Sequence, residues 1–429
     1  MNEPSASDVV HQCLGTLQAT DHAHVAAPLA CLAEQLVRCV QTSSEDPAAH
    51  GDALSYVIQT CAMVLARRCE EQFLAYPYSE VPDAWRRFYT HTTLLRACAA
   101  LLRAQAEPHL PRAFWREQIR ALDMALITTD RLEDTHRILV HHMLAALQDR
   151  HGPSDPPTRK RRQHDAPRSR TTSPPLYTAV PERTKPTDVE FARLAADGAS
   201  GSPFIVRGYA RHWRAMQPST APRWADAAYL VGRAGPGRVV PVETGARYTD
   251  RDWGQTVMAF DDFLGRIGWG EDEGAAEEKL YLAQHTLLTQ FPWLADDLEV
   301  PNYARTTHAT HRGTMPITSV WIGPRGTVSP PHTDAYYNCY VQVVGAKWVW
   351  LAPPDADWGG AMAAWRTDAA ETYAGLMHNT SQRDVWASPT CVDGALQAVL
   401  QPGDLLYLPP RWWHAMHSLS RSFSVSFWF

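Results

Sequence analysis

The chain has 429 residues, long enough for two or three domains, and its 45% hydrophobic and 20% charged content is ordinary for a globular protein. The formal net charge of −6 argues against general nucleic-acid binding. No apolar run reaches the roughly 18 to 20 residues that a membrane span needs, and the first residues lack the features of a signal peptide. We therefore expect no membrane partner and no direct nucleic-acid contact. The eight cysteines include no C-x-x-C pair, so we expect buried, reduced thiols.

The first 150 residues show the apolar spacing of α-helices. In one segment, the i, i+3, i+4, i+7 rule is followed by Leu54, Val57, Ile58, Cys61, Val64 and Leu65. Further helical segments are predicted at Val25–Val40, Trp85–Thr92, Phe114–Ile127 and Leu132–Leu147. We predict an all-α bundle or short solenoid over residues 1–150, and we expect it to contact partner proteins.

Residues 151–187 read as a linker, because their many prolines prevent a packed element. This stretch also holds the basic cluster Arg159–Arg162, followed by Arg168 and Arg170. Such a cluster is typical of a nuclear localisation signal or of a contact for an acidic partner, and a solvated basic linker explains it equally well.

The composition changes from about residue 188 onward, where fourteen of the 16 tryptophans fall and short strands alternate with turns. Cys339–Val344, a turn at Gly345, and Lys347–Leu351 predict a β-hairpin. Ser422–Phe429 alternates small polar with apolar residues, which predicts a strand with one buried face. We predict a β-barrel of jelly-roll type over residues 188–429.

His332, Asp334 and the distant His414 are the strongest chemical signal. His and Asp two positions apart on a strand share a face, and two imidazoles with one carboxylate can hold one face of Fe(II) while leaving other positions open. A structural strand histidine is the alternative. The context favours the metal, because Gly403–Pro410 reads as a turn and short strand stopped by prolines just before His414, as in cupin-type double-stranded β-helix enzymes.

Asn338 and Lys347 follow His332 by six and fifteen residues. In iron oxygenases that use 2-oxoglutarate, a lysine or arginine commonly holds the distal carboxylate of that cosubstrate, and a buried ion pair counts for more at low dielectric. An ordinary strand lysine is the alternative for Lys347. The two positions nevertheless favour a cosubstrate site beside the metal.

The region from Pro203 to Phe429 resembles the JmjC (jumonji-C) oxygenases. The segments that carry the resemblance, in matching order, are Val240–Asp250, Asp252–Trp253, Tyr281–His285, Trp321–Pro324, Gly326–Asp334, His378–Ser381 and Ser422–Trp428. The resemblance implies an α+β protein with a C-terminal cupin-like double-stranded β-helix and an N-terminal all-α domain. Pro331 and the insertion around Trp358–Asp368 depart from the family pattern at the substrate entrance.

The resemblance also implies roles for individual residues. Iron would be bound by His332, Asp334 and His414; 2-oxoglutarate by Tyr281, Ser329, Asn338 and Lys347; and the substrate side would be lined by Glu243, Tyr248, Trp253, Gln284 and Trp321. The reaction would consume O₂ and convert 2-oxoglutarate to succinate and CO₂.

Four functions stay open at this point. Glu243 favours an arginyl hydroxylase, since a carboxylate in a cleft can bind a guanidinium in bidentate fashion and flat aromatic rings can stack on it. An N-methyl-lysine demethylase acting on histone tails shares the same iron chemistry. A histone-tail endopeptidase has no supporting catalytic arrangement, although a metal can activate water. A scaffold without activity is the fourth. We expect a protein or peptide substrate and a nuclear chromatin regulator that is also present in the cytoplasm.

Overall fold

The structure is a computed structural model. It describes residues 8–10, 12–13, 15, 31, 34–35, 51–77, 80–129, 134–152, 177–196, 198, 201–217, 223–245, 247–249, 252–270, 278–305, 315–356, 379–381, 384–386 and 392–429. The predicted helix at Val25–Val40, the basic cluster of the linker and the insertion around Trp358–Asp368 lie outside the described residues.

The chain forms two compact units. The helical unit comprises Met1–Asp155 together with Gly235–Val240, and the barrel unit comprises Pro156–Ala234 together with Pro241–Phe429. The predicted α+β class, with helices first and a cupin-like barrel second, is confirmed. None of the described helices has the length and apolar character needed to cross a membrane.

Four long helices build the described part of the helical unit. They are α1 (Gly51–Phe73), α2 (Asp83–Ala106), α3 (Arg112–Thr128) and α4 (Asp134–His151). Their apolar sides meet in one core that includes Phe88, Leu95, Ile119 and Leu144. Pro82 and Pro111 occupy the N-cap positions of α2 and α3, where a missing backbone N–H does not interrupt a helical hydrogen bond.

The predicted apolar face of α1 is wrong in part. Ile58 is fully buried, but Val57 and Val64 are 48% and 64% exposed. The face that packs inward carries small residues instead, among them Ala62 and Cys69. Small side chains let α1 and its neighbour α2 pack against each other, and Val57 and Val64 turn outward.

A buried ion pair holds the segment Gly235–Val240 within the helical unit. The Arg238 guanidinium donates to both carboxylate oxygens of Asp123, at 2.7 to 3.0 Å, and neither side chain is more than 3% exposed. The backbone N–H of Val239 donates to the same carboxylate at 2.8 Å. Asp123 thereby compensates one buried charge and one buried backbone donor.

We predict that Asp123→Asn lowers the free energy of unfolding of the helical unit by about 3–5 kcal/mol, because the buried Arg238 guanidinium loses the carboxylate that compensates its charge. Denaturant unfolding monitored by circular dichroism measures this. The double variant Asp123→Leu with Arg238→Met should be less destabilised than the single variant. Glu71→Gln, which breaks the exposed Arg68–Glu71 pair, is the control and should change stability by less than about 1 kcal/mol. Equal losses in both single variants would contradict the prediction.

Thirteen strands are described in the chain, and apart from the first two residues of β3 they belong to the barrel unit. They are β1 (Thr178–Ala179), β2 (Phe204–Val206), β3 (Val239–Thr244), β4 (Gly254–Ala259), β5 (Leu280–His285), β6 (Ile317–Gly323), β7 (Val328–Thr333), β8 (Asn338–Val344), β9 (Lys347–Ala352), β10 (Leu396–Leu400), β11 (Leu405–Leu408), β12 (Trp413–Ser418) and β13 (Ser422–Trp428). Short helices of the barrel unit are α5 (Asp188–Ala195), α6 (Ala227–Ala234), α7 (Phe260–Arg266), α8 (Leu287–Gln290) and α9 (Pro292–Ala295), with 3₁₀ turns at Arg214–Met216, Arg223–Ala225 and Asn302–Arg305.

The strands form two facing sheets. One has the order β1-β10-β9-β12-β7, and the other has the order β2-β11-β8-β13-β6-β5-β3-β4. Nearly all neighbours run antiparallel, as a jelly roll requires. The interior between the sheets is filled by side chains such as Val349, Leu351, Leu406 and Met416. The predicted double-stranded β-helix is confirmed.

The predicted hairpin at Gly345 is wrong. Strands β8 and β9 lie in different sheets, and the chain crosses from one sheet to the other at this turn. Gly345 has a φ of 69°, and a Cβ there would collide with the carbonyl oxygen of Arg421. The sharp corner therefore depends on glycine, and it turns Lys347 toward the interior of the barrel instead of pairing β9 with β8.

The single buried face predicted for β13 is also wrong, because every residue of this strand is buried. Phe423 and Phe427 contact Trp224 and Trp213 on the outer side of the sheet. Ser424 faces inward, where its hydroxyl donates to the Gln342 side chain at 2.9 Å. Its hydrogen bond to Gln342 compensates the burial of the Ser424 hydroxyl.

Candidate metal and cosubstrate site

The pairing of β7 with β12 brings the two histidines together. His332 lies directly opposite His414 in the antiparallel register, and the two ring centroids are 4.1 Å apart. Asp334 follows β7, and its carboxylate oxygen lies 3.6 Å from Nε2 of His414. One ligand atom from each of the three residues lies within 4.8 Å of the others. Among the described residues, these three form the one group that could hold a metal ion in this way.

Backbone carbonyls fix the tautomer of both imidazoles. Nδ1 of His332 donates to the Pro330 carbonyl at 2.8 Å, and Nδ1 of His414 donates to the Trp412 carbonyl at 3.0 Å. Because a carbonyl only accepts, each Nδ1 carries the proton and each Nε2 keeps its lone pair for a metal. Burial and the nearby His332 lower the pKa of His414 to about 4, so this ring is neutral at physiological pH.

The turn before β12 positions the third ligand. Arg411 has a φ of 66°, a left-handed conformation that is costly for a side chain other than glycine, and its N–H donates to the Asp334 carbonyl at 2.7 Å. This hydrogen bond links the Asp334 backbone to the turn that delivers His414. The donor set of two imidazoles and one carboxylate fits Fe(II), with coordination positions left for other ligands.

Lys347 is buried inside the barrel, with only 1% of its surface exposed. Its ammonium donates to the Tyr281 hydroxyl at 3.1 Å and lies over the rings of Tyr281 and Tyr340. Desolvation lowers the pKa of Lys347 to about 7. None of the described carboxylates forms an ion pair with it. A buried cation in this state is suited to an anionic ligand, and the distal carboxylate of 2-oxoglutarate is one.

Ser329 and Asn338 are the other two predicted cosubstrate residues. Ser329 lies on β7 and hydrogen-bonds to the buried Tyr281, whose pKa burial raises well above its usual range. Asn338 begins β8, is 3% exposed, and its side-chain oxygen has no hydrogen-bond partner among the described residues. An orphaned polar atom of this kind fits a site that a polar ligand completes.

The predicted substrate residues differ in burial, because Glu243 and Trp321 are partly buried and Gln284 is exposed. Glu243 on β3 lies opposite Tyr281 in the register, and burial raises its pKa to about 7, while a hydrogen bond from Trp253 acts in the opposite direction. The Tyr248 hydroxyl lies 3.5 Å from that of Thr380. Trp321 on β6 is half-buried in the barrel, with its ring centroid 6.1 Å from that of Tyr340.

Gln284 has a left-handed φ of 48° at an irregularity in the pairing of β5 with β6, and its side chain is exposed. The structure therefore places it on the surface side of β5, where only the strained backbone marks it as special. His378, which contributed to the sequence resemblance, lies outside the described residues.

Comparison with known proteins identifies the family. Residues 193–429 match the cupin-like domain family. The chain is 31% identical to lysine-specific demethylase 8 of Danio rerio over 368 residues, which covers 82% of each protein. The chain belongs to the JmjC group of the cupin-like domain family. The JmjC proteins to which the chain is similar are 2-oxoglutarate-dependent oxygenases.

Two further JmjC relatives match over a smaller share of the chain. The chain is 35% identical to Jumonji C domain-containing protein 5 of Drosophila melanogaster, over 58% of this chain and 59% of that protein. It is 34% identical to lysine-specific demethylase JMJ30 of Arabidopsis thaliana, over 53% of this chain and 50% of that protein. The chain thus spans about half to three fifths of these two relatives. The resemblance to the JmjC oxygenases inferred from the motifs is confirmed.

Sequence reasoning missed several residues that shape this JmjC site. Tyr340 forms part of the wall around Lys347, and Trp428 packs at 6.0 Å from Trp321. The sequence pattern of Ser422–Trp428 would have indicated Trp428 if both faces of β13 had been considered. The left-handed turn at Arg411 left no signal, because an arginine gives no indication of positive φ.

We predict that His332→Ala abolishes stoichiometric Fe(II) uptake, because two remaining ligands cannot hold the ion at micromolar concentration. Anaerobic titration of the purified protein measures it. His417→Gln is the matched control, since His417 lies on the same strand as His414 but stacks on Trp386 at 4.3 Å. Unchanged uptake in His332→Ala, or an equal loss in the control, would remove His332 from the metal site.

We predict that the affinity for 2-oxoglutarate falls as the pH rises above about 7, because Lys347 is protonated below its pKa of about 7 and only the ammonium attracts a carboxylate. The dissociation constant should rise by up to about tenfold per pH unit. Calorimetry with Mn(II) in place of Fe(II) measures it between pH 6.5 and pH 8.5, a range set by roughly one unit either side of that pKa. Lys347→Met should bind weakly and lose this pH dependence. A flat profile in the unmodified protein would exclude Lys347 as the anion partner.

Proposed function

We propose that this JmjC protein is an Fe(II)- and 2-oxoglutarate-dependent protein hydroxylase that oxidises a C–H bond of an arginine side chain. In this proposal His332, Asp334 and His414 bind the iron. Tyr281, Ser329, Asn338 and Lys347 bind the cosubstrate, and the substrate side is formed by Glu243, Tyr248, Trp253, Gln284 and Trp321. The family comparisons support the oxygenase class, and they do not identify the residue that is oxidised.

The observation that carries the choice of arginine is the state of Glu243. This carboxylate is largely buried, desolvation raises its pKa, and no described cation pairs with it. A permanently charged guanidinium would keep the carboxylate ionised and donate two parallel hydrogen bonds to it. The nearby rings of Trp253 and Tyr248 offer flat surfaces on which the same group can stack.

The chain's own residues position the reactants. Bound Fe(II), with 2-oxoglutarate and O₂, supplies the oxidation, which releases succinate and CO₂. Lys347 and Tyr281 orient the distal carboxylate of the cosubstrate, and the protonated Nδ1 atoms of the two histidines keep both Nε2 atoms aimed at one point. Glu243 would hold the substrate cation and thereby decide which carbon faces the metal.

The second candidate is N-methyl-lysine demethylation, favoured by the names of the zebrafish and Arabidopsis relatives. A methylammonium is also a cation, but it cannot form the bidentate contact with Glu243 that a guanidinium forms. Endopeptidase activity has no support beyond a metal that could activate water. We further propose that the protein acts in the nucleus and also in the cytoplasm. Its substrates would include histone tails, and partner proteins would contact the helical unit.

Incubation of the full chain with Fe(II), 2-oxoglutarate and arginine-containing or methyl-lysine peptides distinguishes these functions. We expect a gain of one oxygen on the arginine peptide and no formaldehyde. Glu243→Gln should raise the KM for the peptide at least tenfold, since a charge-assisted contact is lost, while slow succinate formation without peptide continues. Loss of a methyl group with formaldehyde release would overturn the hydroxylase proposal, and peptide cleavage would indicate the peptidase.

A further inference from the structure

A short segment runs beside the strand that carries His332. Thr380 forms a β-bridge with His332 itself. The N–H of Thr333 donates to the Asn379 carbonyl at 3.0 Å, and the Asn379 side-chain amide donates back to the Thr333 carbonyl at 2.7 Å. The segment 379–381 is therefore held directly against the metal strand β7.

The continuation of this segment is anchored on the outer face of the barrel. The indole of Trp386 packs edge-to-face against Trp348 at 5.0 Å and makes a tilted contact with the imidazole of His417 at 4.3 Å. An oxygen of Asp384 accepts the backbone N–H of Trp386 at 3.0 Å. The Asp384 carboxylate is thus fixed in direction by a residue that is itself firmly packed. We call residues 379–381 and 384–386 the strap.

The loop between β3 and β4 meets the strap at two adjacent points. The Arg247 guanidinium forms an ion pair with the Asp384 carboxylate, and the neighbouring Tyr248 hydroxyl contacts Thr380. This loop follows β3, the strand that carries Glu243. The two contacts therefore connect the end of the strand that carries Glu243 to the backbone beside His332, without either residue touching the metal ligands.

Asp384 is the acidic member of a cationic cluster. Burial is the main reason that the pKa of His417 is lowered to about 4; the charge of Asp384 raises this pKa, and the charges of Arg247, Arg325 and Lys279 lower it. Loss of the Asp384 charge would therefore leave Arg247 among like charges as well as without its partner. The Arg247 and Asp384 side chains are 30% and 20% exposed, so the pair contributes little to global stability. The pair can therefore fix the local position of the loop without adding much to the stability of the whole protein.

We propose that Arg247 and Asp384 are positioning residues, whose ion pair (the latch) holds the Tyr248 loop on the strap and so orders the substrate side of the site. This inference rests on the proposed function for its catalytic consequence. The latch binds no reactant. It sets the geometry in which Glu243 and Tyr248 meet the substrate cation, and it leaves the cosubstrate pocket around Lys347 untouched.

The test uses the full chain and the variant Asp384→Asn, which keeps an oxygen for the Trp386 N–H but removes the charge. We expect the KM for the arginine peptide to rise roughly tenfold, corresponding to ~1.4 kcal/mol. The KM for 2-oxoglutarate and succinate formation without peptide should stay unchanged. Arg247→Met should have the same effect as Asp384→Asn, and the double variant should be no worse than either, because one interaction is lost in all three. Arg247→Lys, which keeps the charge, should recover most of the affinity.

Asp296→Asn is the matched control, because it breaks the Arg233–Asp296 pair, another partly exposed ion pair of the barrel unit. It should leave every kinetic constant unchanged. Additive losses in the double variant, or a KM for 2-oxoglutarate that rises with that for peptide, would overturn the latch.

Hydrogen exchange separates this inference from the proposed function. Asp384→Asn should speed exchange at residues 247–249 and 379–381 and leave β8 unchanged. If the unmodified protein oxidises no peptide, the proposed function fails, and exchange alone decides whether the latch orders the loop. Unchanged exchange in both segments would refute the latch whatever the activity.

Discussion

A positive charge without a carboxylate partner is buried at the centre of the barrel, and the account of this protein depends on it. Transfer of an ammonium out of water is costly unless an opposite charge or several hydrogen bonds compensate it. Lys347 has one hydroxyl partner and two aromatic faces. This cost appears as the lowered pKa of Lys347, and a dianionic cosubstrate would remove most of it on binding.

The site contains two buried ionisable groups of opposite charge, and desolvation shifts the pKa of each toward its neutral form. Lys347 is a buried cation whose pKa is lowered by desolvation, and Glu243 is a largely buried carboxylate whose pKa is raised by desolvation. The register places Glu243 opposite Tyr281, and Tyr281 contacts Lys347. One tyrosine therefore lies between an anion site and a cation site. We infer that the two ligands of the oxygenase are selected by charge, at positions that the antiparallel register fixes.

The sequence contained enough information to predict the class of the fold and to single out His332, Asp334 and His414, whose ligand atoms the structure brings together. Side chains that recur with period two on a strand place His332 beside Asp334, and prolines that end β11 mark the approach to His414. These rules are local, so they hold in any barrel. The helices of the first unit were likewise evident from their spacing, because periodicity survives even where the buried face is misassigned, as in Val57 and Val64.

The sequence did not reveal which strands pair. Gly345 looked like the turn of a hairpin, but pairing depends on contacts with β10 to β13, which are distant in the chain. The latch between Arg247 and Asp384 could not be predicted for the same reason, since two surface-type residues 137 positions apart carry no local signal. Positive φ at Arg411 and Gln284 is set by tertiary contacts, which override the preference of each residue.

Diffraction from crystals grown anaerobically with Mn(II) and 2-oxoglutarate tests the central claim most directly. The account predicts one anomalous peak within coordination distance of His332, Asp334 and His414, and a dicarboxylate that chelates this ion and ends at the Lys347 ammonium. A metal bound elsewhere, or a cosubstrate whose distal carboxylate avoids Lys347, would contradict it.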